Sequence, residues 1–181
     1  MEMIITAATV ATMFFNSATS ESNNYFYNAQ MEDGKVETLS VMKNDCNMLT
    51  NKLQYRFVYD SQDRLSVKEA LLWNERSMRW EPDYRLDYAY AEDGFSVSMR
   101  KWNKKKDEYG EVTEKMDYAM VLDNVMAINH YECVKGETME LKSNMLVMNP
   151  DERLLASKWT AEVFLKRERM RKQFIDSIIL Y

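Results

Sequence analysis

His130 is the single histidine of the chain, and histidine is the side chain that titrates near neutral pH without help from its surroundings. A catalytic nucleophile needs such a base within hydrogen-bond reach. His130 stands beside Tyr131, with no serine or cysteine in a nucleophile-elbow setting, so a structural or surface role is expected of it. Paired carboxylates could instead hydrolyse a glycosidic bond. The chain has 29 acidic residues, but most fall in turn-like stretches. Asp33, Asp63, Asp93 and Asp123 recur every 30 residues, at the turn signals Asp33-Gly34, Asp63-Arg64, Asp93-Gly94 and Asp123-Asn124. Aspartate side chains satisfy turn backbone groups, and the ligand spacing of a calcium loop is absent. Cys46, Cys133 and His130 fall short of a four-ligand zinc site. No catalytic residue, no metal site and no cofactor is expected.

The aromatic residues are the better candidates for contact with a ligand. Trp73-Asn74 precedes Trp80 by seven residues, and Trp102-Asn103 precedes Tyr109 by the same interval. Equivalent positions two strands apart in a sheet lie about 10 Å from one another. If Trp73, Trp80, Trp102 and Tyr109 face solvent, they form a ladder that stacks on a glycan or grips a protein edge. Otherwise they are cross-strand packing residues. Arg100, Lys101, Lys104, Lys105 and Lys106 surround Trp102, an interleaving that can bind single-stranded nucleic acid. Asp107, Glu108 and a net charge of −5 oppose that. A solvated hairpin tip is expected, with no nucleic-acid partner.

Strands must carry these residues. Leu53, Tyr55, Phe57 and Tyr59 alternate with Gln54, Arg56, Val58 and Asp60, a period of two with one face largely aromatic. After the Asp63 turn, Leu65, Val67, Glu69, Leu71 and Trp73 continue the alternation. Leu86, Tyr88 and Tyr90 lead into Asp93, and Phe95, Val97 and Met99 lead out. The pattern predicts a mainly β fold: an antiparallel meander of about eight strands, built from β-hairpin repeats of 30 residues. The stretch Glu132–Met148 is ambiguous, with room for one more strand pair around Lys135-Gly136. Trp73 lies ten residues after Asp63, whereas Trp102 lies nine after Asp93. A slip of one residue reverses the facing of a strand, so either the two tryptophans face opposite ways or a β-bulge restores the register; a bulge is predicted near Glu69–Leu72.

The ends of the chain read differently. Asn149 can cap a C-terminal helix with Pro150 in its first turn. Leu155, Trp159, Val163, Met170, Phe174 and Ile178 recur at near-helical intervals to about Ile178. The last 31 residues carry seven basic and five acidic side chains, against −7 for the first 150. Met3–Phe15 is uncharged and mostly apolar, and small residues follow to Ser20. That is the order of a signal-peptide h-region and cleavage region, although the Met-Glu-Met start lacks a basic residue; the other reading is a buried strand or helix at the start of the domain. It is too short for a comfortable membrane span. The expected organisation is a signal peptide over 1–20, a β-hairpin-repeat domain over 21–148, and a helical segment over 149–181 packing on the same domain.

Tyr59-Asp60, Lys68-Glu69-Ala70, Trp73-Asn74 and Trp80-Glu81-Pro82-Asp83-Tyr84 together form a recognisable series. The stretch from Tyr25 to Tyr118 resembles a family of small secreted proteins of unknown function from Bacteroidales gut bacteria. The resemblance implies an all-β, repeat-built, exported protein, and it carries over no catalytic or binding residues. From Glu132 the chain departs from that pattern, where further Trp-bearing hairpins would be expected. The functional expectation is an exported, non-enzymatic binding or interaction module, periplasmic or extracellular, with a glycan or protein partner. The alternatives are a structural accessory protein with no small-molecule site and, third, a glycan-acting hydrolase.

Overall fold

The computed structural model describes residues 5–11, 25–45, 48–134 and 138–148. Among them nine strands run in chain order: β1 (Tyr25–Glu32), β2 (Lys35–Asp45), β3 (Met48–Tyr59), β4 (Leu65–Asn74), β5 (Arg79–Ala91), β6 (Gly94–Asn103), β7 (Glu108–Leu122), β8 (Val125–Val134) and β9 (Thr138–Met148). Each pairs antiparallel with the next in a single meander. The expected fold class holds, with nine strands rather than about eight. The ambiguous stretch 132–148 completes β8 and supplies β9. The expected C-terminal helix, Pro150 to about Ile178, lies outside the described residues, as does Cys46. The helix that is described is a short one, residues 7–11, near the N-terminus.

Period-two alternation sorts the sheet into two faces. Leu39, Ala70, Leu86, Tyr88, Met99, Phe95, Tyr118 and Ile128 share one face through their cross-strand partners, and all are buried. Phe95 and Tyr118 stack at 4.4 Å on this face. Tyr88 buries its hydroxyl there with no hydrogen-bond partner among the described residues. The opposite face carries Arg56, Glu69, Arg85 and Arg100, which stand directly across from one another on β3 to β6.

The four aspartate turns lie at one end of the meander but differ in backbone. Asp33 and Gly34 both have positive φ, 49° and 76°, as a two-residue primed hairpin turn requires. Asp63 is left-handed too, at 59°, in a wider turn where the Asp60 carboxylate accepts the Gln62 and Arg64 N–H groups. Asp93 and Asp123 are not left-handed. Gly94 answers a different constraint, since a Cβ on it would sit 1.8 Å from the Tyr118 carbonyl oxygen. Residues 5–11, expected to fall in a leader, pack at this end with Ile5 and Val10 buried.

The predicted bulge is present. Ala70 faces Tyr84 and Leu71 faces Pro82, so Asp83 is the extra residue. It sits on β5 rather than β4, beside a proline that has no N–H to give to the ladder. Two further irregularities interrupt β6 and β7 around Arg100. The outer strand β9 leaves Leu141, Met145, Leu146 and Met148 exposed.

Candidate functional site

At the end opposite the aspartate turns, two hairpin loops are built alike. The Asn74 side-chain oxygen accepts the N–H groups of Arg76 and Ser77, at 3.0 and 3.2 Å. Asn103 does the same for Lys105 and Lys106, at 3.0 and 3.3 Å. Each loop closes through a left-handed residue, Met78 or Asp107. An asparagine that binds backbone N–H groups two and three residues on makes such a turn from its own side chain. These loops bring the predicted aromatics together in pairs. Trp73 meets Trp80 edge to face at 5.0 Å, and Trp102 meets Tyr109 at 4.8 Å. All four rings are half-buried. They do not form one flat ladder, because each ring leans on its hairpin partner. Glu81 links the hairpins: it accepts from Asn74 at 2.6 Å and from Lys104 at 2.9 Å.

Tyr109 departs from a simple packing role. Its ring lies 6.0 Å from the Arg85 guanidinium, and its hydroxyl feels the Glu69 carboxylate. Burial and the Glu69 charge push its pKa up to about 12, against the pull of Arg85 and Arg56. Tyr109 is on β7 and Arg85 on β5, roughly 10 Å apart in a flat sheet at ~4.8 Å per strand. Strand side chains stand nearly perpendicular to their sheet, so the closeness of Tyr109 to Arg85 fits a polar face that curls inward. The bulges on β5 and β7 supply the bend.

The curled face holds a charged row that reading the chain linearly did not single out. Arg85 Nε donates to Asp87 at 2.7 Å, and Arg100 Nε reaches the other oxygen of Asp87 at 3.2 Å. Arg100 also donates to the Gly110 carbonyl at 3.3 Å. Arg56 stands exposed at the row's end. Guanidinium groups present planar donor forks, and here two are fixed in direction by one carboxylate. Alternation marks each of these residues as polar-facing, but only the strand register puts them in line. Beyond Trp102, an open cleft of about 430 Å³ is lined by Lys101, Asn103, Val112, Thr113 and Cys133.

The other chemical candidates stay apart. His130 lies across from Met116, 3.8 Å from the Glu114 carboxylate, on the opposite face from the arginine row. The Glu32 charge raises the pKa of Glu37, but this carboxylate pair lies at the exposed first turn and not in a cleft. Among the described residues no three His, Cys, Asp or Glu side chains converge as metal ligands. Among them also, no helix is long and apolar enough to cross a membrane.

Residues 1–120 match a family described as "Family of unknown function (DUF3836)". No curated protein matches the sequence. A crystal structure of a protein with unknown function from Bacteroides fragilis NCTC 9343 superposes with a TM-score of 0.62 at 24% identity, over 71% of this chain and 96% of that one. A DUF3836 protein from Bacteroides vulgatus ATCC 8482 is 33% identical over 48% of this chain and 89% of its own, with a TM-score of 0.47. A third, from Parabacteroides distasonis ATCC 8503, is 20% identical over 71% of this chain and 93% of its own, with the same TM-score of 0.47.

Proposed function

The chain belongs to DUF3836, a family of unknown function, and on that premise we propose that it is an exported, non-catalytic binding module whose ligand is a glycan lying on the curled polar face beside Tyr109. The observation that carries this reading is the Tyr109 ring of β7 standing 6.0 Å from the Arg85 guanidinium of β5, two strands away. It turns a flat polar face into a trough with a phenol ring at one side and directed Arg85 and Arg100 forks on its floor. Sugar hydroxyls suit such mixed donors and acceptors, and a sugar's C–H face suits the flat side of Tyr109 or Trp102. The half-buried state of these rings leaves part of each available to a ligand.

Export draws on the uncharged run Met3–Phe15 and the small residues after it. Cell fractionation with N-terminal sequencing of the purified protein tests it. Binding is tested by titrating the full chain with a panel of neutral and acidic polysaccharides. Tyr109→Ala and Arg85→Ala are expected to weaken capture about tenfold each while the fold persists. Equal capture by both variants and the parent would remove the reading. The alternative, a structural accessory protein, draws on the edge-to-face packing of both aromatic pairs. It predicts no capture of any polysaccharide by the parent chain.

A further inference from the structure

At the aspartate-turn end a short segment of the chain is held as a bound peptide would be. The Leu65 N–H donates to the Ile5 carbonyl at 2.7 Å. Thr6 forms an isolated antiparallel bridge with Arg64. Ile5 and Val10, on either side of one helical turn, are 5% and 3% exposed. The pieces of the groove meanwhile hold one another in position. Asp60 accepts from the Arg64 N–H at 3.0 Å and from its Nε at 2.8 Å. The Arg64 guanidinium lies over the Tyr90 ring at 4.6 Å. The Tyr90 hydroxyl is 2.8 Å from the Leu65 carbonyl and 3.3 Å from that of Ile5. Its one proton serves the nearer oxygen, so this wall keeps its own bond whether or not Ile5 is there. What the segment alone supplies is the acceptor for the Leu65 N–H and the buried side chains of Ile5 and Val10.

We propose that this groove is an acceptor site for a polypeptide segment. The chain's own residues 5–11 fill it until cleavage near Ala18 or Ser20, and an extended segment of a partner protein fills it afterwards. The proposal rests on the export reading above. The partner segment is uncharged, as Met3–Phe15 is, and it presents an aliphatic side chain where Ile5 lies. Its backbone carbonyl takes the Leu65 N–H, a minimal form of strand addition. A vacated groove would expose a buried N–H and apolar walls to water, which is the driving force for refilling it.

The test uses the full chain with a protease site inserted between Ser20 and Glu21, cut after folding. The nicked protein is mixed with a fluorescent peptide of residues 3–13 and followed by anisotropy and near-UV circular dichroism. The expected result is a folded protein that exchanges its own fragment for the labelled one. It should bind that peptide at least about tenfold more tightly than a peptide carrying Ile5→Asp and Val10→Asp. Loss of near-UV signal on nicking would show that residues 5–11 are integral core and overturn the proposal. So would equal binding of the two peptides, or association of nicked chains into dimers in place of peptide uptake. Because the cut is engineered, failure of export in the native cell would sink the localisation without touching this result.

Discussion

At the aspartate-turn end of the sheet, an apolar residue two or three positions after each turn aspartate is buried: Val36, Leu65, Phe95 and Met126 are 1%, 2%, 7% and 0% exposed. At the asparagine-turn end, Trp73, Trp80, Trp102 and Tyr109 hold comparable positions beside their loops and stay half-buried. Both ends consist of hairpins, and both use a side-chain amide or carboxylate to close loops. The difference lies in what is laid over them. The first end is closed by residues 5–11 and by the tight approach of β7 to Gly94. The second carries charged loops of four residues, 75–78 and 104–107, which prefer water and leave the rings open on one side. Hairpin register thus decides where aromatics stand, while the coverage of each end decides whether they are core or surface.

The largest effect belongs to the closed end. Gly94→Val forces a side chain into the Tyr118 backbone and should cost about 3 kcal/mol or more in urea unfolding. A loss below about 1 kcal/mol would mean that this approach is not tight. Met126→Ala should cost about 3 kcal/mol, and Trp102→Ala about 1.5 kcal/mol despite its larger ring, because that ring is half-wet and loses mainly one edge-to-face contact. Equal losses would erase the contrast between the two ends. Asn103→Ala should cost about 1 kcal/mol by leaving the Lys105 N–H without its acceptor, while the Lys106 N–H keeps the Asn103 carbonyl.

Alkaline pH probes both ends together. Burial and nearby negative charge, partly offset by arginine, raise the hydroxyls of Tyr90 and Tyr109 to about 12 from an unfolded value near 10. A folded pKa above the unfolded one means that the neutral phenol is favoured by folding. This stability is complete below about pH 10 and is lost as pH rises toward 12. Urea midpoints at pH 9 and pH 11 should therefore differ less in Tyr90→Phe and Tyr109→Phe than in the parent. The smallest effect separates two aspartates that look alike in sequence. Asp63→Gly relieves a left-handed residue at the cost of an exposed ion pair with Lys35. Asp93→Gly only adds chain entropy to the unfolded state. A melting temperature that falls for Asp93→Gly and holds for Asp63→Gly is the expected order.

Much of the frame could be read without coordinates. Alternation in Leu53–Asp60 and Leu86–Tyr90 fixes two strands and their apolar face, since a strand's side-chain period is two. The ten-against-nine spacing of Trp73 and Trp102 from their aspartates points either to opposite facing or to a bulge, and a bulge lies opposite the expected window, at Asp83 on β5. The spacing could not say which strand carries the extra residue, because a bulge is a property of a pair. The strand count fell short for a related reason. Thr138–Met148 mixes apolar and polar residues as the outer strand β9, with little buried surface to impress a pattern on it.

The candidate site was half visible. Trp73, Trp80, Trp102 and Tyr109 announce themselves by type and interval, and hairpin geometry pairs them. Arg56, Glu69, Arg85 and Arg100 do not, being spread over 45 positions of chain. By itself the sequence determined the strands, their apolar face and the turns, because these depend on neighbours within a few residues. Only the tertiary structure decided that four distant charges line up, that Tyr109 of β7 stands beside Arg85 two strands away, and that residues 5–11 fill a groove. Each of those depends on register and curl, which are set by where bulges fall between strands and not within one.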